Sequence, residues 1–190
     1  MVSRYSDLKD NMTEDEIKQK LSIFMSDELQ AEFLENCLRK KLQESVKKNT
    51  HILLSQIYEK KRWYENAIRN LSAAASCTTV YREKTAIYMK IGHLNIKENN
   101  HIFARDAFKL AIDNASNEEK KKLSDEIKNI YLNEAKTQEG NGKNSKAVSI
   151  YEYALDLLND AEKRQVKEKM SELYEKLGRI KESMRIKQSI

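Results

Sequence analysis

The sequence predicts an all-α fold, an α-solenoid of antiparallel helix pairs. Three observations predict it. Ala67, Leu71 and Ala74 sit four and three residues apart, and the same spacing returns as Ala104, Phe108, Ala111 and as Ala147, Tyr151, Ala154. Small, bulky and small residues on one helical face mark a helix packed closely on its neighbours, and their recurrence marks a stack of similar units. The 190 residues contain no Pro and four Gly, and 34% of them are charged, a composition that favours helix and leaves little turn punctuation. An apolar fraction of 39% suits a thin core in which each unit buries one face.

The elements follow in chain order. Residues 1–12 read as frayed. Thr13 and Glu16 form a capping box, after which Ile17, Leu21 and Phe24 give a short amphipathic helix. Ser26 caps a second helix expected to run to about residue 47, its apolar face being Leu34, Leu38, Leu42 and Val46 at steps of four, widened by Phe33 and Cys37. Helix pairs then follow at about 50–61 and 63–76, 80–97 and 101–114, 117–138 and 144–158, and 160–177 and 179–189. Their turns are residues 60–62, 98–100, 139–143 and 178–179. Ser116 with Glu119 marks one boundary as a second capping box.

No run of about 20 apolar residues is present, so no membrane helix is expected. The first ten residues are polar and lack the apolar stretch of a secretory signal. Cys37 and Cys77 fall on different helices without metal or redox spacing and read as buried thiols. These features predict a soluble, cytoplasmic protein. The net charge of +5 is uneven: residues 1–36 hold four basic and nine acidic residues, leaving +10 beyond them. Two regions are therefore expected, an acidic N-terminal tail and helical pair at 1–47 and a helical repeat domain at 48–190.

From residue 48 the chain resembles the tetratricopeptide repeat, whose unit is two antiparallel helices with fixed bulky and small positions. The match is fullest in the repeat starting at Thr85, with Tyr88, Ile91, Gly92, Ala104, Phe108 and Ala111. The repeat starting at Lys48 contributes Leu54, Ser55, Tyr58, Tyr64, Ala67, Leu71 and Ala74. The one at Lys128 contributes Tyr131, Ala135, Gly142, Ala147, Tyr151 and Ala154, and a truncated one at Arg164 has Met170, Ser171, Tyr174, Gly178, Ile180 and Ser183. About four degenerate repeats thus follow an N-terminal helical pair. The family's late Pro is replaced by Thr79, Ser116 and Asn159, all good N-caps. The repeats are stretched, with the added turns expected on the first helix of a pair, most clearly over 117–138. Of the aromatics, Tyr58, Tyr88, Phe108, Tyr131, Tyr151 and Tyr174 are expected in the core. Trp63 falls in a turn, where it packs on a neighbouring helix or anchors a partner.

Nothing in the sequence points to an enzyme or a cofactor. The four glycines are dispersed, so none forms a phosphate loop. His51, His93 and His101 lack ligand spacing and read as surface or interface residues. The acids at 14–16 and 27–28 lie at helix starts, where the helix dipole favours them.

The resemblance implies a concave face lined by the first helix of each pair. Its candidate partner-binding residues are Asn49, Gln56, Lys60, Met89, Lys90, His93, Lys97, Asn129, Asn133 and Lys136. Amides and lysines suit a polar or acidic peptide, whose backbone groups need partners. The chain has Ile52 and Gln56 where members that clamp chaperone tails need Lys and Asn, so that partner is not implied. The leading expectation is a non-enzymatic protein-interaction module or scaffold. The alternatives are an RNA-binding helical repeat, suggested by a pI near 9.0, and a structural subunit of a larger complex. The acidic N-terminal helices either cap the first repeat or occupy its groove until displaced. The apolar residues Ile186 and Ile190 on the truncated last helix are a candidate homodimer contact.

Overall fold

The computed structural model describes residues 8–190. Among them are ten α-helices and one 3-10 turn. They are α1 (Glu14–Leu21), α2 (Asp27–Leu38), α3 (Glu44–Lys60), α4 (Tyr64–Ser76), α5 (Tyr81–Lys97), α6 (His101–Asp113), α7 (Asn117–Gly140), α8 (Asn144–Ala154), α9 (Asp160–Lys176) and α10 (Ile180–Gln188). The 3-10 turn Leu155–Leu157 ends α8 earlier than its periodicity suggests. The chain forms two compact units, one ending at Leu94 and one spanning Asn95–Ile190.

In the first unit α3 and α4 pair as a hairpin, and α2 packs against α3, with α1 touching both. In the second, α7 pairs with α8 and α9 with α10, while α6 packs on α7 and α8 on α9. At three places, α2 on α3, α6 on α7 and α8 on α9, the second helix of one pair thus seats the first helix of the next. The small-bulky-small series sits at these contacts. All nine of its residues, from Ala67 to Ala154, are at most 4% exposed. In the last pair Ser183 takes the small position, buried with its hydroxyl 2.8 Å from that of Ser171. α7, at 24 residues, carries the extra turns expected on a first helix.

The four turns that close the pairs share one device. Arg62, Asn99, Gly142 and Gly178 each adopt a left-handed φ between 60° and 72°. The residue after each donates its backbone N–H to the carbonyl five residues back: Trp63 to Tyr58, Asn100 to Asn95, Lys143 to Gln138 and Arg179 to Tyr174, all at 2.8–2.9 Å. This double-bonded cap satisfies carbonyls that the helix end leaves unpaired. Only Gly enters the left-handed region without a Cβ penalty, and Asn tolerates it better than Arg. Arg62→Gly is therefore expected to stabilise the protein by about 0.5–1 kcal/mol and Asn99→Gly by less. Gly178→Ala should cost about 1 kcal/mol by strain alone, since a Cβ there meets nothing within 4 Å. Urea unfolding followed by circular dichroism tests the order.

Three expectations are corrected. The helix expected over 26–47 is two helices, α2 and α3, separated by residues 39–43. The break is held from outside: the Asn11 N–H donates to the Lys41 carbonyl at 2.7 Å and the Lys41 N–H to Asp10 Oδ1 at 3.0 Å, while Leu42 is buried. Those contacts also show that Asp10 and Asn11 are tied down rather than frayed, with Leu8 and Met12 on either side buried; residues 1–7 of the segment expected to fray lie outside the described residues. Thr79 lies two residues before the start of α5, and it is the Thr78 hydroxyl that accepts the Val80 N–H. The boxes at Thr13–Glu16 and Ser116–Glu119 form, and Asn159 makes a third with Glu162.

Candidate protein-interaction surface

Successive first helices are tied by charge at two heights. In the first unit Lys48 of α3 meets Glu83 of α5 at 2.6 Å, and Glu59 of α3 meets Lys90 of α5 at 2.8 Å. In the second, Lys128 of α7 meets Glu162 of α9 and Glu139 of α7 meets Lys169 of α9, both at 2.8 Å. The partners lie 30–35 residues apart, about one repeat. The lysines beside them hold Glu83 and Glu162 below the usual carboxylate range, and their carboxylate partners raise Lys128 and Lys169. Exposed pairs contribute little stability one by one, but opposite charges at two fixed heights set the register of neighbouring helices. The signal was present in the sequence as Lys and Glu one repeat apart, but abundant Lys and Glu elsewhere mask it.

The candidate binding residues divide by environment. In the first unit Asn49 donates to the Glu14 carboxylate, Lys60 pairs with Asp27 at 2.9 Å and Lys90 pairs with Glu59. Gln56 and Lys60 border a cavity of about 230 Å³ that Leu21, Asp27 and Gln30 of the N-terminal helices help to line. Met89 is buried and His93 half-buried. In the second unit Lys97 is half-buried, its carbonyl accepting from Lys146. Asn129, Asn133 and Lys136 are exposed and share one face of α7, four and three residues apart.

The aromatic residues mostly close the interior. Tyr58, Phe108, Tyr131, Tyr151 and Tyr174 are buried and Tyr88 is half-buried. The Tyr58 hydroxyl donates to Glu35 of the preceding second helix, and Tyr174 donates to Glu152 of its own preceding second helix at 2.6 Å. Burial, then the neighbouring carboxylate, pushes both phenols up to about 12. Trp63 is 51% exposed, with one face stacked on Tyr58 at 5.9 Å and the Lys61 ammonium 4.4 Å from its ring centre.

His101, expected at the surface or at an interface, is buried at 4% exposure. Its ring stacks on Tyr153 at 4.3 Å, and Nε2 lies 3.3 Å from the Ser149 hydroxyl and 3.2 Å from Asn99 Oδ1. Burial, then the charge of Lys146, lowers its pKa from the ordinary 6.5. The unfolded chain therefore takes up the proton first. The contribution of neutral His101 is fully present above pH 6.5 and is lost as pH falls from there toward the lower folded value. Wild type is expected to lose stability between pH 7.5 and 5.5, and His101→Phe to show a flatter profile. Thermal melts at stepped pH test this.

Cys37 is buried, which pushes its thiol up to about 11; Cys77 is half-buried and raised by burial and by its bond to Glu44. Both are protonated thiols of low reactivity. Among the described residues no group of three or more His, Cys, Asp or Glu is placed to hold a metal ion, and no helix is long and apolar enough to cross a membrane.

Repeated antiparallel helix pairs, a shared left-handed cap and buried small residues define an all-α helical-hairpin repeat protein. No family model matches the chain, and no curated protein matches it. Solved structures similar to it include two of MamA, each at 16% identity and TM-score 0.44 over 92% of this chain and 91% or 84% of theirs. A third is BtubC (BKLC) from P. vanneervenii, at 12% identity and TM-score 0.44 over 93% of this chain and 77% of that one. Similarity at this level carries no residue role from them to this chain.

Proposed function

We propose that this protein is an interaction module that binds a polar or acidic segment of another protein on the first helices of its hairpins. The observation that carries this reading is the exposed row Asn129, Asn133 and Lys136 on α7. Two amides and an ammonium at helical spacing offer donors and acceptors to a peptide backbone and a charge to a carboxylate. Of the candidate residues of the first unit, Asn49, Lys60 and Lys90 are engaged by Glu14, Asp27 and Glu59, so a partner there has to compete with the chain's own acids.

The test is capture of partners from lysate by the tagged protein and by its Asn129→Ala/Asn133→Ala/Lys136→Ala variant, each with and without nuclease, read by mass spectrometry. A protein retained after nuclease and lost with the variant is the expected result. Partners that vanish with nuclease would move nucleic-acid binding to the front, and partners indifferent to the variant would remove α7 as the site. A second copy of the chain is a further candidate partner at the last hairpin. Ile180 and Met184 are its exposed large apolar residues, and Ile190 is also exposed while Ile186 is half-buried. Light scattering of wild type against Met184→Lys reads that contact directly.

A further inference from the structure

A cavity of about 390 Å³ opens in the second unit among α6, α7 and the end of α8. Its bed is apolar and aromatic: Phe108 and Ile112 from α6, Ile127 and Tyr131 from α7. Ile127 belongs to the extra turns of α7, since it precedes Lys128, where the repeat pattern begins. The stretched helix thus supplies one wall. On α7 the cavity-lining Ile127 and Tyr131 stand on the face opposite Asn129, Asn133 and Lys136, because a step of two residues turns the helix through about 200°. The cavity is therefore separate from the proposed partner row.

The rim is charged. Arg105 and Lys109 contribute two cations and Asp156 one carboxylate. Arg105 lies over the Tyr153 ring at 5.7 Å, and neither it nor Lys109 forms an ion pair among the described residues, in contrast to Lys48, Lys90, Lys128 and Lys169. A cavity of similar size in the first unit, among α2, α3 and α4, has Leu38, Leu54 and Tyr58 in its lining but is mostly polar, with Glu35, Arg39, Asn66, Arg69 and Asn70 around them.

We propose that the α6–α7–α8 cavity is a binding site for a small apolar carboxylate. An aromatic and aliphatic bed with a few charged groups at its edge is the usual make-up of a small-molecule site, and its volume falls in the usual range of about 300–1,000 Å³. At about 30 Å³ per heavy atom it holds roughly a dozen. The excess of positive charge at the rim selects an anionic head, and Asp156 disfavours a second negative charge.

Three decyl probes that differ only in head charge test this on the full chain: decanoate, decanol and decyltrimethylammonium, each below its micelle concentration. Methyl NMR of Ile112 and Ile127 locates binding and calorimetry gives affinity. Decanoate is expected to shift both methyls and to bind at least about tenfold more tightly than either other probe. Arg105→Gln/Lys109→Gln, two exposed substitutions, is expected to bring decanoate down to the level of decanol without changing the melting temperature. Absence of methyl shifts, equal binding of the three heads, or shifts confined to methyls elsewhere would each overturn the proposal.

Discussion

Phe33→Ala is expected to lower the stability of the first unit by about 3–5 kcal/mol. Phe33 is 2% exposed, packs against Phe24 at 5.1 Å between ring centres, and lies one residue from fully buried Leu34 and four from fully buried Cys37. Removing the ring leaves a cavity beside Phe24 under α2 that the surroundings can close only in part. Trp63, the sole tryptophan, lies in the same unit, so its fluorescence in urea reads the loss. The result also decides between the two roles open to the acidic N-terminal helices. A cap built into the core shifts the Trp63 transition to lower urea. A displaceable segment leaves it where it was and melts separately. The ion pairs Lys60–Asp27 and Lys61–Glu28 join the same elements, yet as exposed charges they move the outcome far less than the ring does.

Ala147→Leu is the second large effect, at about 1–3 kcal/mol of destabilisation from overpacking. Ala147 is fully buried where α8 lies against α7, and Ala154 repeats the condition two turns later. A methyl group sets the approach of the two helices there, so a larger side chain has to push them apart or leave its rotamer. Ala161→Leu, at an exposed position near the start of α9, is the control and should stay within about 0.5 kcal/mol of wild type. Circular dichroism melts of the two variants give the comparison. Equal melting temperatures would mean that the small residues are not needed for close packing.

Much of the fold was legible because its signals are short in range. The spacing of Ala104, Phe108 and Ala111 lies within three turns of one helix, as does the box of Ser116 with Glu119. Gly142 and Gly178 announce left-handed caps by their chemistry, whereas Arg62 hides the same cap in a residue that disfavours it. The candidate surface was legible only as a set of positions. The sequence nominated Asn49, Lys60 and Lys90 alongside Asn129, Asn133 and Lys136, and gave no sign that the first three are engaged by Glu14, Asp27 and Glu59.

The sequence by itself determined the helices of the hairpins, their turns, their buried small-residue faces and the long α7. Each depends on residues within a few turns of one another. Only the tertiary structure decided the break between α2 and α3, the burial of His101, the charge pairs between successive first helices and the cavity bounded by Ile127. The break shows why. Leu34, Leu38, Leu42 and Val46 keep their four-residue step across it, so the apolar pattern is the same for one helix or two. What separates the cases is a pair of hydrogen bonds at Lys41, its N–H donating to Asp10 and its carbonyl accepting from Asn11, about thirty residues earlier in the chain. Periodicity reports which face is apolar, but the partner that face or charge meets is chosen by the stacking of hairpins and lies a repeat away.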